Sequence, residues 1–213
     1  MALGLRFARA DDADLLAWTI LTAGRAHLQR GWYDIAFGLP EAQCLGLLRR
    51  LVVAETPSWW RYDRWLVAEA DGVPAGALAV FASGAFASSE PALAETLRDL
   101  GWTDADIAQV WARGAYVFSC AMAPAEREAW TIENVAVRPE HRGKGVAGRL
   151  IANALELGRS QGFAEAQISF VIGNQAAERA YAKAGFRPAE ERRSPEFQAA
   201  VGAPGLKRFT QPL

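Results

Sequence analysis

The spacing of apolar residues divides this chain into alternating strand-like and helix-like runs. Leu3–Phe7 alternates well enough for a first strand. Leu15, Leu16, Trp18, Ile20 and Leu21 then recur at helical spacing, with Asp11 or Asp12 placed to cap their start. Pro40 opens a second helix that turns Cys44, Leu47, Leu48, Leu51 and Val52 inward. Residues 65–69 and 76–81 read as strands around Asp71-Gly72, a pair that favours a tight hairpin turn. Trp130–Val137 reads as the central strand. Beyond it come a glycine-rich loop from Gly143, a third helix carrying Leu150, Ile151, Ala154 and Leu155, and a strand at 166–172. A helix at 176–183 closed by Gly185, and final strands at 186–191 and 206–210, complete an α/β order.

Two stretches interrupt this rhythm. About 48 residues, 82–129, separate two strands that a short turn would suffice to join. Helical spacing recurs within them at 91–100 and 103–113, and Tyr116-Val-Phe-Ser-Cys120 has the composition of an extra strand. A connection this long is usually functional; a lid or wall over a substrate pocket and a packing or dimerisation role both fit. The shorter stretch 194–205 reads as a loop between the last two strands. No internal repeat or low-complexity linker appears, so residues 1–213 are expected to form one domain.

The densest chemistry lies in Asn134-Val-Ala-Val-Arg-Pro-Glu-His-Arg-Gly-Lys-Gly-Val-Ala-Gly-Arg149, where a β-branched run meets a glycine-rich basic loop and then a helix start. Such a turn presents several unpaired backbone N–H groups to one point in space. Its glycines allow close approach to a bulky anion, and Arg142, Lys144 and Arg149 add positive charge. Four readings compete. Gly143-Lys-Gly-Val-Ala-Gly148 matches a dinucleotide fingerprint, but that pattern needs its first glycine at the strand end, and here residues 138–142 intervene. Only 65 residues follow Gly148, too few for the second half of a doubly wound fold. A Walker loop needs Ser or Thr after its lysine, and Lys144 is followed by Gly145. A plain surface turn explains one glycine better than three glycines with three cations.

The fourth reading is a resemblance. Arg142-Gly-Lys-Gly-Val-Ala147 matches the (Arg or Gln)-x-x-Gly-x-(Gly or Ala) signature of the GNAT superfamily of N-acetyltransferases, between strand and helix as in that family. Asn174-Gln-Ala-Ala-Glu-Arg-Ala-Tyr181-Ala-Lys-Ala-Gly-Phe186 resembles a second family segment, and a strand-like stretch lies between the two. The likeness spans about residues 130–187, roughly a quarter of the chain. It implies a mixed, mostly antiparallel central sheet flanked by helices, with 82–129 a helical insertion between strands 3 and 4. It also implies acetyl-CoA as co-substrate. Its pyrophosphate would lie on the main chain of Arg142, Gly143, Lys144, Gly145, Val146, Ala147 and Gly148. Val135, Ala136 and Val137 would face the pantetheine arm, which pairs as a mock strand, and the amide near Val135 would polarise the thioester carbonyl. Asn174 would be a cofactor contact, although a plain helix N-cap also suits it.

The remaining roles follow from the chemistry such a reaction needs. An amine of pKa about 10.4 costs roughly 4.6 kcal/mol to deprotonate at neutral pH, so a route for its proton is required. Glu133, on the central strand, is the candidate base; its alternative is an ordinary strand carboxylate. Strict alternation puts Glu133 on the face of Val135 and Val137, whereas the bulge common in this strand of the family would break that parity. Tyr181 matches the family's usual proton donor to the departing thiolate, and packing beside Phe186 is its alternative.

Composition narrows the partners. The chain has 213 residues, a net charge near −1 and 51% hydrophobic residues, a balance that favours neither nucleic acid nor membrane. Cys44 and Cys120, in no ligand spacing, and only two histidines, His27 and His141, argue against a disulfide framework or a metal centre. Arg6, Arg9, Asp11 and Asp12 near the start speak against a secretory signal, and the apolar stretch 76–87 is too short for a bilayer span, so a reducing cytoplasm is expected. The resemblance implies a small-molecule or peptide amine as acceptor, and homodimers are common among similar proteins. Trp32-Tyr33 and Trp59-Trp60-Arg-Tyr62 fit either an acceptor pocket, with Asp34 holding an ammonium, or plain core packing. A non-catalytic acyl-CoA-binding module is the other function class these residues allow.

Overall fold

The computed structural model describes residues 2–86, 89–122 and 128–213. Seven strands form one sheet in the order β1-β2-β3-β4-β5-β7-β6. They are β1 (Leu3–Phe7), β2 (Trp65–Ala70), β3 (Val73–Ala82), β4 (Trp130–Val137), β5 (Glu165–Val171), β6 (Arg187–Arg193) and β7 (Gly205–Pro212). Every neighbouring pair is antiparallel except β4 and β5. Asp71 and Gly72 turn the β2–β3 hairpin with φ of 51° and 82°, the left-handed pair that a two-residue hairpin loop requires.

Both faces of the sheet are covered. On one face lie α1 (Ala13–Arg25), α2 (Trp32–Phe37) and α3 (Glu41–Val52), and their apolar residues meet Trp65, Val67, Ala77, Ala79 and Phe81. On the other, α6 (Val146–Ser160) and α7 (Gln175–Lys183) cover Leu66, Ala68, Leu78, Val80, Trp130 and Ile132. Burial on both sides explains why β2 reads as a continuous apolar run rather than an alternating one.

Between β3 and β4 run α4 (Glu90–Asp99), α5 (Asp104–Gly114) and a 3-10 turn, Ala115–Cys120. Residues 87–88 and 123–127 of this segment lie outside the described residues. The expected strand at Tyr116–Cys120 is instead this 3-10 turn, because its apolar side chains have a local partner. Cys120, Tyr116 and Val117 pack with Phe197 of α8 (Pro195–Val201) rather than joining the sheet. That eighth helix occupies what reads in sequence as a loop. Its start carries the signals for a helix: the Ser194 hydroxyl accepts from the N–H groups of Glu196 and Phe197, Pro195 stands in the first turn, and Gly202 ends it at φ 83°. The β3–β4 segment is also tied to α2. Trp32 Nε1 donates to the Gly114 carbonyl at 3.0 Å, and Arg113 donates to the carbonyls of Ala36 and Phe37. Among the described residues, no helix is long and apolar enough to cross a membrane.

Candidate active site

The parallel pair opens into a notch. β4 and β5 keep register only at Trp130–Ala166, Thr131–Gln167 and Ile132–Ile168. Gln167 Nε2 donates to Thr131 Oγ1 at 2.9 Å there. Beyond Ile132 each strand stays with its outer neighbour, β4 with β3 and β5 with β7, so their facing edges separate. A bulge lies at the same place. Asn134 adopts φ 53°, and the register between β3 and β4 slips between Ala77 and Ala79. The extra residue breaks parity: Val135 and Val137 pack on the cluster under α6, and Glu133 does not share their face. The alternation that groups Glu133 with Val135 and Val137 is therefore corrected.

Glu133 sits partly exposed at the base of this notch. Surrounding protein desolvates its carboxylate and lifts its pKa from 4.5 to about 7, although the Asn134 N–H donates to it. Two phenols lie within reach of its charge, Tyr33 of α2 and Tyr181 of α7. Burial first, then Glu133, holds both well above an ordinary tyrosine. The Tyr33 hydroxyl accepts from Trp60 Nε1 at 2.8 Å. Tyr181 is held by its ring, which meets Phe170 edge-on at 5.5 Å between centroids, in the cluster that also contains Phe186. Its hydroxyl hydrogen-bonds to none of the described residues and is not sealed from solvent. The structure thus brings Glu133 and Tyr181 to one place across 48 residues of sequence. Tyr33 and Trp60 join them, which sequence shows only as aromatic clusters.

The loop after β4 forms the second half of the site. Arg138 lies over the Trp18 ring at 4.2 Å, a short 3-10 turn covers Pro139–His141, and Arg142 Nε donates back to the Val137 carbonyl at 3.1 Å. Gly143 and Gly145 then take φ of 73° and 81°, a conformation that L side chains rarely adopt. Helix α6 begins without a side-chain cap. Its first inward bond runs from Arg149 N to the Gly145 carbonyl, and among the described residues no acceptor meets the N–H groups of residues 143–148. A β-carbon built on Gly143, Gly145 or Gly148 would meet nothing within 4 Å, so open space stands over these amides. Arg142, Lys144 and Arg149 are exposed around it, whereas Val146 sends its side chain into the core.

Two other residues have defined roles in the fold. Asn174 Oδ1 accepts from Ala177 N at 3.2 Å and caps α7. Asp34 is not free to hold an ammonium: Arg25 Nη2 binds it at 2.7 Å and the Gly31 N–H donates at 2.9 Å. Trp59, Trp60 and Tyr33 are buried in the core beneath α1–α3, which places most of the aromatic pairs in packing. Among the described residues, no three His, Cys, Asp or Glu side chains gather as a metal set.

A sheet split between parallel strands, with uncapped amides at the head of the connecting helix, sets an anion site beside an open strand edge. The comparisons give the family in which this arrangement falls. A sequence profile described as the Acetyltransferase (GNAT) family matches residues 48–186. The chain belongs to that family and is an acyltransferase by that membership. Among solved structures it is similar to an N-acetyltransferase from Staphylococcus aureus Mu50 at 19% identity and TM-score 0.71, covering 98% of this chain and 100% of that one. A Drosophila melanogaster polyamine N-acetyltransferase, described as forming N-acetylagmatine, aligns at 14% identity and TM-score 0.58 over 100% of both chains. The yncA acetyltransferase of Salmonella typhimurium, solved with its cofactor acetyl-CoA, aligns at 17% identity and TM-score 0.52, covering 100% and 95%. No curated protein matches the chain in sequence.

Proposed function

We propose that this protein is an N-acetyltransferase that moves an acetyl group from acetyl-CoA to a primary amine by direct attack within a ternary complex. The observation that carries this reading is the row of amides at residues 143–148, without acceptors among the described residues and under open space, beside the split between β4 and β5. Backbone donors at a helix start suit a diphosphate, and Arg142, Lys144 and Arg149 supply the charge around it. An extended pantetheine arm fits against the edge of β4 at Val135, Ala136 and Val137, and Asn174 borders the same opening.

Glu133 then takes the proton that the amine loses as its nitrogen bonds to the acetyl carbon. Its pKa near 7 leaves it about half ionised at neutral pH, matched to that task. Tyr181, buried by its ring but with an uncommitted hydroxyl, donates a proton to the sulfur as the carbon–sulfur bond breaks. The thiol and the acetamide leave, and the proton held by Glu133 passes through solvent to the Tyr181 phenolate, which restores both groups. The segment between β3 and β4, anchored on α2 and α8, forms a wall of the acceptor side. Cys44 and Cys120 stand free and buried, in keeping with work in a reducing cytoplasm.

Thioester turnover against a panel of amines, read by free-thiol release and mass spectrometry, tests this reading. Release above hydrolysis together with an acetylated acceptor is the expected result. Binding of acetyl-CoA with no acetylated amine in the panel would leave a non-catalytic acyl-CoA module in its place.

A further inference from the structure

Near the mouth of the notch lies an open pocket of ≈ 400 Å³ lined by His27, Leu28, Gln29, Arg30, Ala200 and Val201. The α1–α2 loop forms one side and α8 the other. Its place in the sheet follows from two contacts. His27 stands over Gly173, where a β-carbon would fall 3.1 Å from its Nε2, and Gly173 lies between the end of β5 and the cap of α7. Leu28 and Val201 pack in one cluster with Val171, the last residue of β5. The pocket therefore opens at the same end of β5 from which β4 diverges. Tyr33, whose phenol feels the charge on Glu133, lies three residues beyond Arg30.

Among the described residues, Arg30 carries the one formal charge of the pocket lining, and no carboxylate lines it. Arg30 Nη2 donates to the Asp34 carbonyl at 3.3 Å, and among the described residues no carboxylate lies within salt-bridge distance of its guanidinium. The nearest candidate partner, Asp34, is already bound by Arg25 and by the Gly31 N–H. Arg30 thus faces the pocket as a cation with most of its donors uncommitted, His27 and Gln29 beside it, and apolar side chains opposite. A second ammonium or guanidinium on the acceptor would be repelled here. A carboxylate would find the planar fork that suits it.

Resting on the acyl-transfer reading above, we propose that the acceptor is a small amine that also carries a carboxylate, held by Arg30 with His27 while its amine reaches Glu133. Arg30 is then a specificity-determining residue, and simple polyamines are poor substrates.

Matched pairs that differ only in the carboxylate test this: arginine against agmatine, and phenylalanine against phenethylamine. Each is assayed with acetyl-CoA for wild type, Arg30→Met and Arg30→Lys. Wild type should favour the carboxylate-bearing member of each pair by about tenfold or more in kcat/KM, mainly through KM. Arg30→Met should bring that ratio close to one, and Arg30→Lys should keep part of it. A wild-type preference for agmatine and phenethylamine, or a ratio that Arg30→Met leaves intact, overturns the proposal. Thermal stabilisation by acetyl-CoA is read on all three proteins. If it persists and the carboxylate-free amines are acetylated as well as the amino acids, the pocket assignment alone fails. Transfer to no amine at all removes the acyl-transfer reading, and this one with it.

Discussion

At the N-terminal end of the β4–β5 pair, Trp130 meets Phe163 at 5.1 Å between ring centroids and donates to the Ala154 carbonyl. It also leaves Gly158 of α6 no room for a methyl group, since a β-carbon there would lie 2.6 Å from the indole. At the C-terminal end the same two strands separate, a bulge turns Glu133 away from Val135, and the amides at the head of α6 have no partner among the described residues. Side chains close the starts of α5 and α8, whereas α1, α3 and α4, like α6, begin without a side-chain cap. Thr103 and Asp106 close a reciprocal capping box on α5, and Ser194 caps α8. What sets the head of α6 apart is its pair of left-handed glycines under open space. Packing at the closed end of the β4–β5 pair, where Trp130 donates to the Ala154 carbonyl of α6, holds that head in place. Substitutions at the open end should be read in binding and turnover, and those at the packed end in stability.

The largest effect is expected at Gly145→Glu. The variant forces a side chain into φ 81° and sets a carboxylate among amides meant for an anion. Thermal stabilisation by acetyl-CoA should vanish; an unchanged shift would remove residues 142–148 from binding. Tyr181→Phe follows, with kcat lower by about ten- to a hundredfold and acetyl-CoA affinity nearly constant. Equal turnover would reduce Tyr181 to packing against Phe170.

Glu133→Gln should move the acid limb of the pH–rate profile, near pH 7 in wild type, toward alkaline conditions, and an identical profile would exclude Glu133 as base. Stability carries the same signature. Because the folded pKa is raised, ionising Glu133 costs nothing below its ordinary value of 4.5, and the cost grows until pH passes about 7. The Gln variant should match wild type at pH 4 and exceed it by about 3 kcal/mol at pH 8, measured by denaturant unfolding. The smallest effect belongs to the packed end. Gly158→Ala gains helix propensity but drives a methyl group into Trp130, for a net loss of about 1 kcal/mol. Its folded form should keep wild-type affinity for acetyl-CoA; a large loss there would show that the two ends are not separable.

The helices and strands that carry the site follow from local signals, and so does the loop, whose glycines and cations are contiguous from Arg142 to Arg149. What sequence hides are the choices made by distant partners. Asp34 reads as a free carboxylate because its partner, Arg25, lies nine residues away across the α1–α2 loop. Tyr116-Val-Phe has the composition of a strand, yet Tyr116 and Val117 pack against α8 instead. The helix at Pro195–Val201 was legible in Ser194, Pro195 and Gly202, but only seven residues separate those signals and the stretch passes for a loop. Alternation cannot show a bulge, so the positive φ of Asn134, which sets where Glu133 stands, appears only in three dimensions.

The brevity of the β4–β5 register has a consequence for how the sheet is held together. Residues 3–137 supply one half of the sheet and residues 165–212 the other, so each half is a contiguous length of chain. Three residue pairs and the crossover through α6 form the seam between them. Only the β2–β3 and β6–β7 joins are close in sequence, and β1–β2 and β3–β4 close longer loops than the β4–β5 crossover does. The place where the halves part is thus also where the fewest backbone pairs hold the sheet together.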